Sequence, residues 1–111
     1  MGFPIKVLGR RRIPGEMNKT ELAYSEFLEG LRMAGKVSWW SFEAVTFKLA
    51  ADTRYTPDFL VMLPGGEMEC HEVKGFWRDD ARVKIKVAAA MFPFQFLAVS
   101  KSKAGWETER F

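Results

Sequence analysis

At 111 residues the chain has the length of one domain and can bury a core without disulfide or metal staples. Its 48% hydrophobic content excludes a disordered polymer, and its single cysteine excludes an intrachain disulfide. The net charge of +3 is uneven: residues 1–19 hold five basic groups against one acidic, and the rest hold twelve against thirteen.

The N-terminal stretch MGFPIKVLGRRRIPGE places its charges after its apolar part, the reverse of a secretory signal. No apolar run approaches the roughly 20 residues of a bilayer crossing. A soluble, cytoplasmic protein without a membrane partner is expected. Residues 1–17 read as a basic arm whose Arg10, Arg11 and Arg12 suit phosphate, or equally as a solvated tail. Residues 18–111 read as the folded domain.

Residues 18–36, NKTELAYSEFLEGLRMAGK, predict a helix. Asn18 is a good N-cap, Glu21 stands at the third helical position of a capping box, and Gly35 closes the end. Ala23, Tyr24, Phe27, Leu28, Leu31 and Ala34 form its apolar stripe. Residues 37–50 are rich in β-formers and predict a strand, alternating in their second half as Val45, Phe47 and Leu49. Two more strands are predicted over 55–63 and 67–74, joined by the turn Pro64-Gly65-Gly66. Residues 78–92 predict a second helix capped by Asp79 or Asp80. Residues 94–100 read as a buried strand, and the tail GWETERF as an edge strand or a loose end. The order α-β-β-β-α-β makes an α/β fold, a mixed sheet flanked by helices.

The central hairpin carries the chemistry. With a three-residue loop, position 63 faces 67, and Asp58 then faces Glu72 with Lys74 on the same face. A two-residue loop would set Val73 opposite Asp58 instead. Two opposed carboxylates repel, and a divalent cation relieves the repulsion while using both as oxygen ligands. Lys74 beside them could orient a water and offset charge on a phosphate. The plainer alternative is a cross-strand ion pair of Asp58 with Lys74.

Pro57-Asp58, thirteen residues, then Glu72-Val73-Lys74 resembles the PD-(D/E)XK nuclease motif. More narrowly, YTPDFLVMLPGG…HEVKGFWRDDARVK is similar to phage endonuclease I-type Holliday-junction resolvases. That family has a Tyr-Thr-Pro-Asp-Phe-Leu run, a glycine turn, and Glu-x-Lys-Gly followed by Trp, an acidic pair and basic residues. The likeness spans about residues 18–100. It implies a restriction-endonuclease-like αβββαβ core and an Mg²⁺-dependent endodeoxyribonuclease acting on branched DNA as a homodimer, in host cytoplasm if phage-encoded. It further implies that Glu21, Asp58, Glu72 and the Val73 carbonyl hold one or two Mg²⁺ or Mn²⁺ ions, and that Lys74 positions the water.

Of the three acids on the first helix, Glu21 lies about 100° from the stripe centre, Glu29 nearly opposite it, and Glu26 between. Glu21 can therefore lean toward the sheet, but its capping role needs the same carboxylate. Arg78, Arg82 and Lys86 recur every four residues along the second helix, extended by Lys101 and Lys103. They read as a phosphate-contacting ridge or as a solvated face. His71 and Cys70 read as packing residues, Trp39 and Trp40 as core or stacking groups, and Glu43 has no assigned role. Flap, single-strand or nonspecific cleavage, and a catalytically inactive binding module, remain alternative functions.

Overall fold

Helix α1 (Lys19–Met33) begins where Asn18, in an extended conformation, accepts the Glu21 N–H at 2.8 Å through its side chain. A Glu21 carboxylate oxygen accepts the Asn18 N–H at 2.9 Å in return. This reciprocal pair satisfies two donors that every helix start leaves without partners. At the other end Gly35 takes φ +79°. The N–H groups of Gly35 and Lys36 return to the carbonyls of Arg32 and Leu31, a closure that favours a residue without Cβ. The computed structural model describes residues 15–75 and 79–111, so only the end of the basic arm is included.

The segment expected to form one strand over 37–50 forms two. Strand β1 (Trp39–Phe42) ends where Glu43 adopts φ 50° and its N–H bonds the Asp58 carbonyl at 2.8 Å. The chain then leaves the first sheet, and β2 (Phe47–Ala50) pairs antiparallel with β3 (Thr53–Tyr55) as a separate two-stranded sheet. The strand expected over 55–63 is likewise divided, because Tyr55 belongs to β3 and only Phe59–Met62 form β4. Strand β5 (Met68–Val73), helix α2 (Asp79–Met91), β6 (Gln95–Ser102) and β7 (Gly105–Arg110) complete the chain.

The main sheet has the order β1-β4-β5-β6-β7. All its pairings are antiparallel except β5 with β6, which run parallel across the α2 connection. The tail expected as an edge strand or a loose end is the edge strand β7.

Alternation along β4 and β5 sends side chains to two cores. Phe59 and Val61 pack with Tyr24 and Leu28 of α1, together with Val37 and Val99. On the other face Leu60 and Cys70 pack with Ile85 and Ala88 of α2 and with Phe47 and Tyr55 of the small sheet. Each large apolar side chain buried this way contributes about 1.5–3 kcal/mol. The fold is therefore an α/β arrangement with α1 on one face of a mixed sheet, and α2 and the β2–β3 hairpin on the other. Among the described residues no helix is long and apolar enough to cross a membrane.

Candidate functional site

The β4–β5 hairpin closes as the three-residue-loop reading expects. The Leu63 N–H bonds the Glu67 carbonyl at 2.9 Å, and Gly66 supplies φ +96° at the turn. The pairs Phe59–His71, Leu60–Cys70, Val61–Glu69 and Met62–Met68 follow. Continuing that register sets Asp58 opposite Glu72, and the two-residue-loop alternative falls away. Asp58 is buried at 4% exposure. Its Oδ2 accepts the Val73 N–H at 2.8 Å, so the carboxylate replaces the backbone partner that would continue the ladder there.

Glu72 is held from two sides. The Tyr55 hydroxyl donates to its Oε1 at 2.7 Å, and the Lys74 Nζ lies 3.7 Å from its Oε2. Lys74 is anchored through its own N–H to the Val99 carbonyl at 2.8 Å. Glu72 is thus ion-paired with Lys74. A cleft of about 230 Å³ is lined by Lys74 together with Ala98, Ser100, Glu107 and Thr108. Burial first, then the charges of Glu72 and Asp58, push the Tyr55 phenol far above its ordinary range. It therefore stays protonated, a standing donor to Glu72.

Glu21 is buried at 3% exposure, in line with Tyr24, Ser25 and Leu28 rather than on the edge of the stripe. It lies on α1, whose packing partners Phe59 and Val61 alternate with the face of Asp58 and Glu72. Among the described residues no three His, Cys, Asp or Glu side chains come together as a set able to hold a metal ion. The structure thus assembles Asp58, Glu72 and Lys74, adds Tyr55, and does not gather Glu21 with them as a third carboxylate. Two carboxylates and the Val73 carbonyl form an all-oxygen set. That set fits Mg²⁺ or Mn²⁺, which are commonly bound through one or two carboxylates with water and phosphate completing the shell.

The expected basic ridge is only partly in view, since Arg10, Arg11, Arg12 and Arg78 lie outside the described residues. Arg82 is half-exposed on α2 and is paired there. Its guanidinium makes an ion pair with Glu109 of β7 and lies 5.3 Å from the Phe111 ring centre. Lys86 is exposed on α2. Lys101 is exposed on β6 with its Nζ 5.9 Å from the Trp106 ring centre, and Lys103 is exposed in the β6–β7 turn. Glu29, expected to point into solvent, accepts from Arg32 and also from the Trp40 indole at 3.0 Å. Those bonds hold its carboxyl down at about 2.

Three other titratable residues of β5, Glu69, Cys70 and His71, are buried. Cys70, at 1% exposure, packs, and burial pushes its thiol up to about 12. His71, on the α1 face, joins a relay that sequence reading missed. The Tyr24 hydroxyl lies 2.7 Å from His71 Nδ1, and His71 Nε2 lies 2.8 Å from Glu69 Oε1. The Nε2–H tautomer satisfies both bonds, donating to Glu69 and accepting from Tyr24. The His71 bond holds the Glu69 carboxyl below the ordinary carboxylate range, with Arg110 adding to the effect. A depressed carboxyl adds stability above its unfolded value and loses it as pH falls through its folded value. Stability should therefore fall as pH drops through and below the ordinary glutamate value of about 4.3. Glu69→Gln should shallow that acid limb in urea unfolding between neutral pH and pH about 2.5, leaving the Glu29 contribution in place. An unchanged limb would remove Glu69 from the account.

The chain matches no protein-family model, and no curated protein matches it significantly.

Proposed function

We propose that the protein is a metal-dependent endonuclease that hydrolyses DNA phosphodiester bonds, with branched DNA of the four-way-junction kind as its substrate. One observation carries the reading. Asp58 and Glu72 oppose each other across a hairpin while Lys74 stands on the same face and lines a cleft. The fold supports it further. Apart from the β2–β3 hairpin and the edge strand β7, the element order is α-β-β-β-α-β, that of a restriction-endonuclease-like core. The sequence resemblance to PD-(D/E)XK resolvases points the same way.

In this reading Asp58, Glu72 and the Val73 carbonyl would hold one or two Mg²⁺ or Mn²⁺ ions. Such an ion supplies a Lewis acid for the phosphoryl oxygen and lowers the pKa of a water molecule. Lys74 positions the attacking water from the cleft side and offsets charge gathering on the phosphate. The bond between Asp58 and the Val73 N–H holds one carboxylate against the strand that carries the other. The resemblance makes Glu21 a further ligand. Here it caps α1, and the reading stands without it because Mg²⁺ needs only one or two protein carboxylates. Lys86, Lys101 and Lys103, with Arg10, Arg11, Arg12 and Arg78, would supply backbone contacts that position DNA without reading its bases. Symmetric cutting of a junction needs two sites, so the working form is a C2 homodimer.

The direct test is cleavage of a four-way junction, a flap and a linear duplex in parallel, with Mg²⁺ and with EDTA. Junction cutting that EDTA abolishes is the expected result. Equal cutting of all three substrates would discard junction preference. Binding without any cutting would replace the enzyme by a binding module.

A further inference from the structure

We infer that Tyr55 is a positioning residue, whose hydroxyl fixes the Glu72 carboxylate in the orientation in which it serves as a cation ligand. The inference rests on the nuclease reading above and adds a role for the β2–β3 hairpin, which that reading leaves without one.

The geometry is specific. Tyr55 belongs to the two-stranded sheet, paired with Phe47, and not to the sheet that carries Glu72. Its ring is 8% exposed and sits in the core with Phe47, Cys70 and Ile85, so it cannot swing away from the site. Its hydroxyl reaches across to Glu72 Oε1 at 2.7 Å. Glutamate has three side-chain torsions, and an ion pair at 3.7 Å attracts without aiming. A short bond from a rigid phenol aims. With Oε1 tied to Tyr55, Oε2 is the oxygen turned toward Lys74.

Outer partners that orient a ligating group are worth about 10–100-fold in metal affinity. A phenol that merely satisfies its own hydrogen bond in the core would affect stability alone, and the two roles separate experimentally. Tyr55→Phe keeps the ring and removes the donor. Titration calorimetry of the whole chain with Mn²⁺ should show affinity lower by about 10–100-fold. Phe47→Leu, which loosens the same hairpin without touching Glu72, should leave affinity unchanged. A second measurement needs no substitution, because the chain has only two tyrosines, Tyr24 and Tyr55. With both labelled at the phenolic ring carbon, saturating Mg²⁺ should move the NMR resonance of Tyr55 and leave that of Tyr24 in place. Equal Mn²⁺ affinity in wild type and Tyr55→Phe, or an unmoved Tyr55 resonance at saturation, overturns the inference and spares the nuclease reading. Wild type that binds neither ion overturns both.

Discussion

Asp58→Asn is expected to lower cleavage at least about a thousandfold, on the order of 4 kcal/mol of transition-state stabilisation, while DNA binding survives. The substitution is a clean one. An asparagine side-chain oxygen can still accept the Val73 N–H that Asp58 Oδ2 accepts at 2.8 Å, so the hairpin keeps its bond and loses only the charge. Glu72→Gln is the matching change on the facing strand. Glu72→Ala would also abolish cutting, but it strips the partner from the Tyr55 hydroxyl and leaves a buried donor unsatisfied, costing about 1–3 kcal/mol of stability. Lys74→Ala should fail in cleavage yet still bind Mn²⁺, because the ammonium is no ligand. Single-turnover cleavage, a gel-shift titration and metal calorimetry on the same proteins check all three statements. Cleavage by Asp58→Asn at the wild-type rate would sink the proposed mechanism. Loss of DNA binding in that variant would show that it had damaged more than the site.

The largest effect on stability should come from Phe59→Ala. Phe59 is fully buried on β4, with the rings of Tyr24, Trp40 and Phe42 at 5.5, 5.8 and 5.3 Å between centres. Its removal deletes the common neighbour of α1 and β1 and leaves a cavity that the surrounding packing fills only in part. The expected cost is about 3–5 kcal/mol, against total stabilities of about 5–15 kcal/mol for folded proteins. In thermal unfolding this corresponds to a fall on the order of 15 °C. Met33→Ala, at a position 77% exposed near the end of α1, should stay within about 0.5 kcal/mol of wild type. A Phe59→Ala protein as stable as the Met33→Ala control would contradict the packing described for this face.

Much of this architecture was legible before any coordinates, and the residues show why. Asn18, Glu21 and Gly35 act on backbone groups within five residues of themselves, so their roles as cap, capping-box partner and closing residue follow from local chemistry. Pro64-Gly65-Gly66 marks the turn in the same local way, but the loop length, and hence the opposition of Asp58 to Glu72, was settled by the Leu63–Glu67 bond. The strand at 37–50 misled because alternation reports that a side chain faces some core and not which sheet supplies it. Val45, Phe47 and Leu49 do pack inward, but against α2. Neither Glu43 nor the Ala51-Asp52 turn carries a glycine or proline to mark the break.

The sequence by itself determined the two helices, the hairpin and the candidacy of Asp58, Glu72 and Lys74, because each depends on neighbours along the chain, while the register that sets Asp58 opposite Glu72 was fixed by the structure. Only the tertiary structure decided that Tyr55 reaches Glu72 from another sheet, that Arg82 is held by Glu109, and that Tyr24 meets His71 and Glu69 inside the core. The first three join residues 17 to 47 positions apart, and the short-range bond of His71 to Glu69 lies in the burial such contacts create. Bonds of that kind depend on which surfaces the fold brings together, and no local pattern records where that will be.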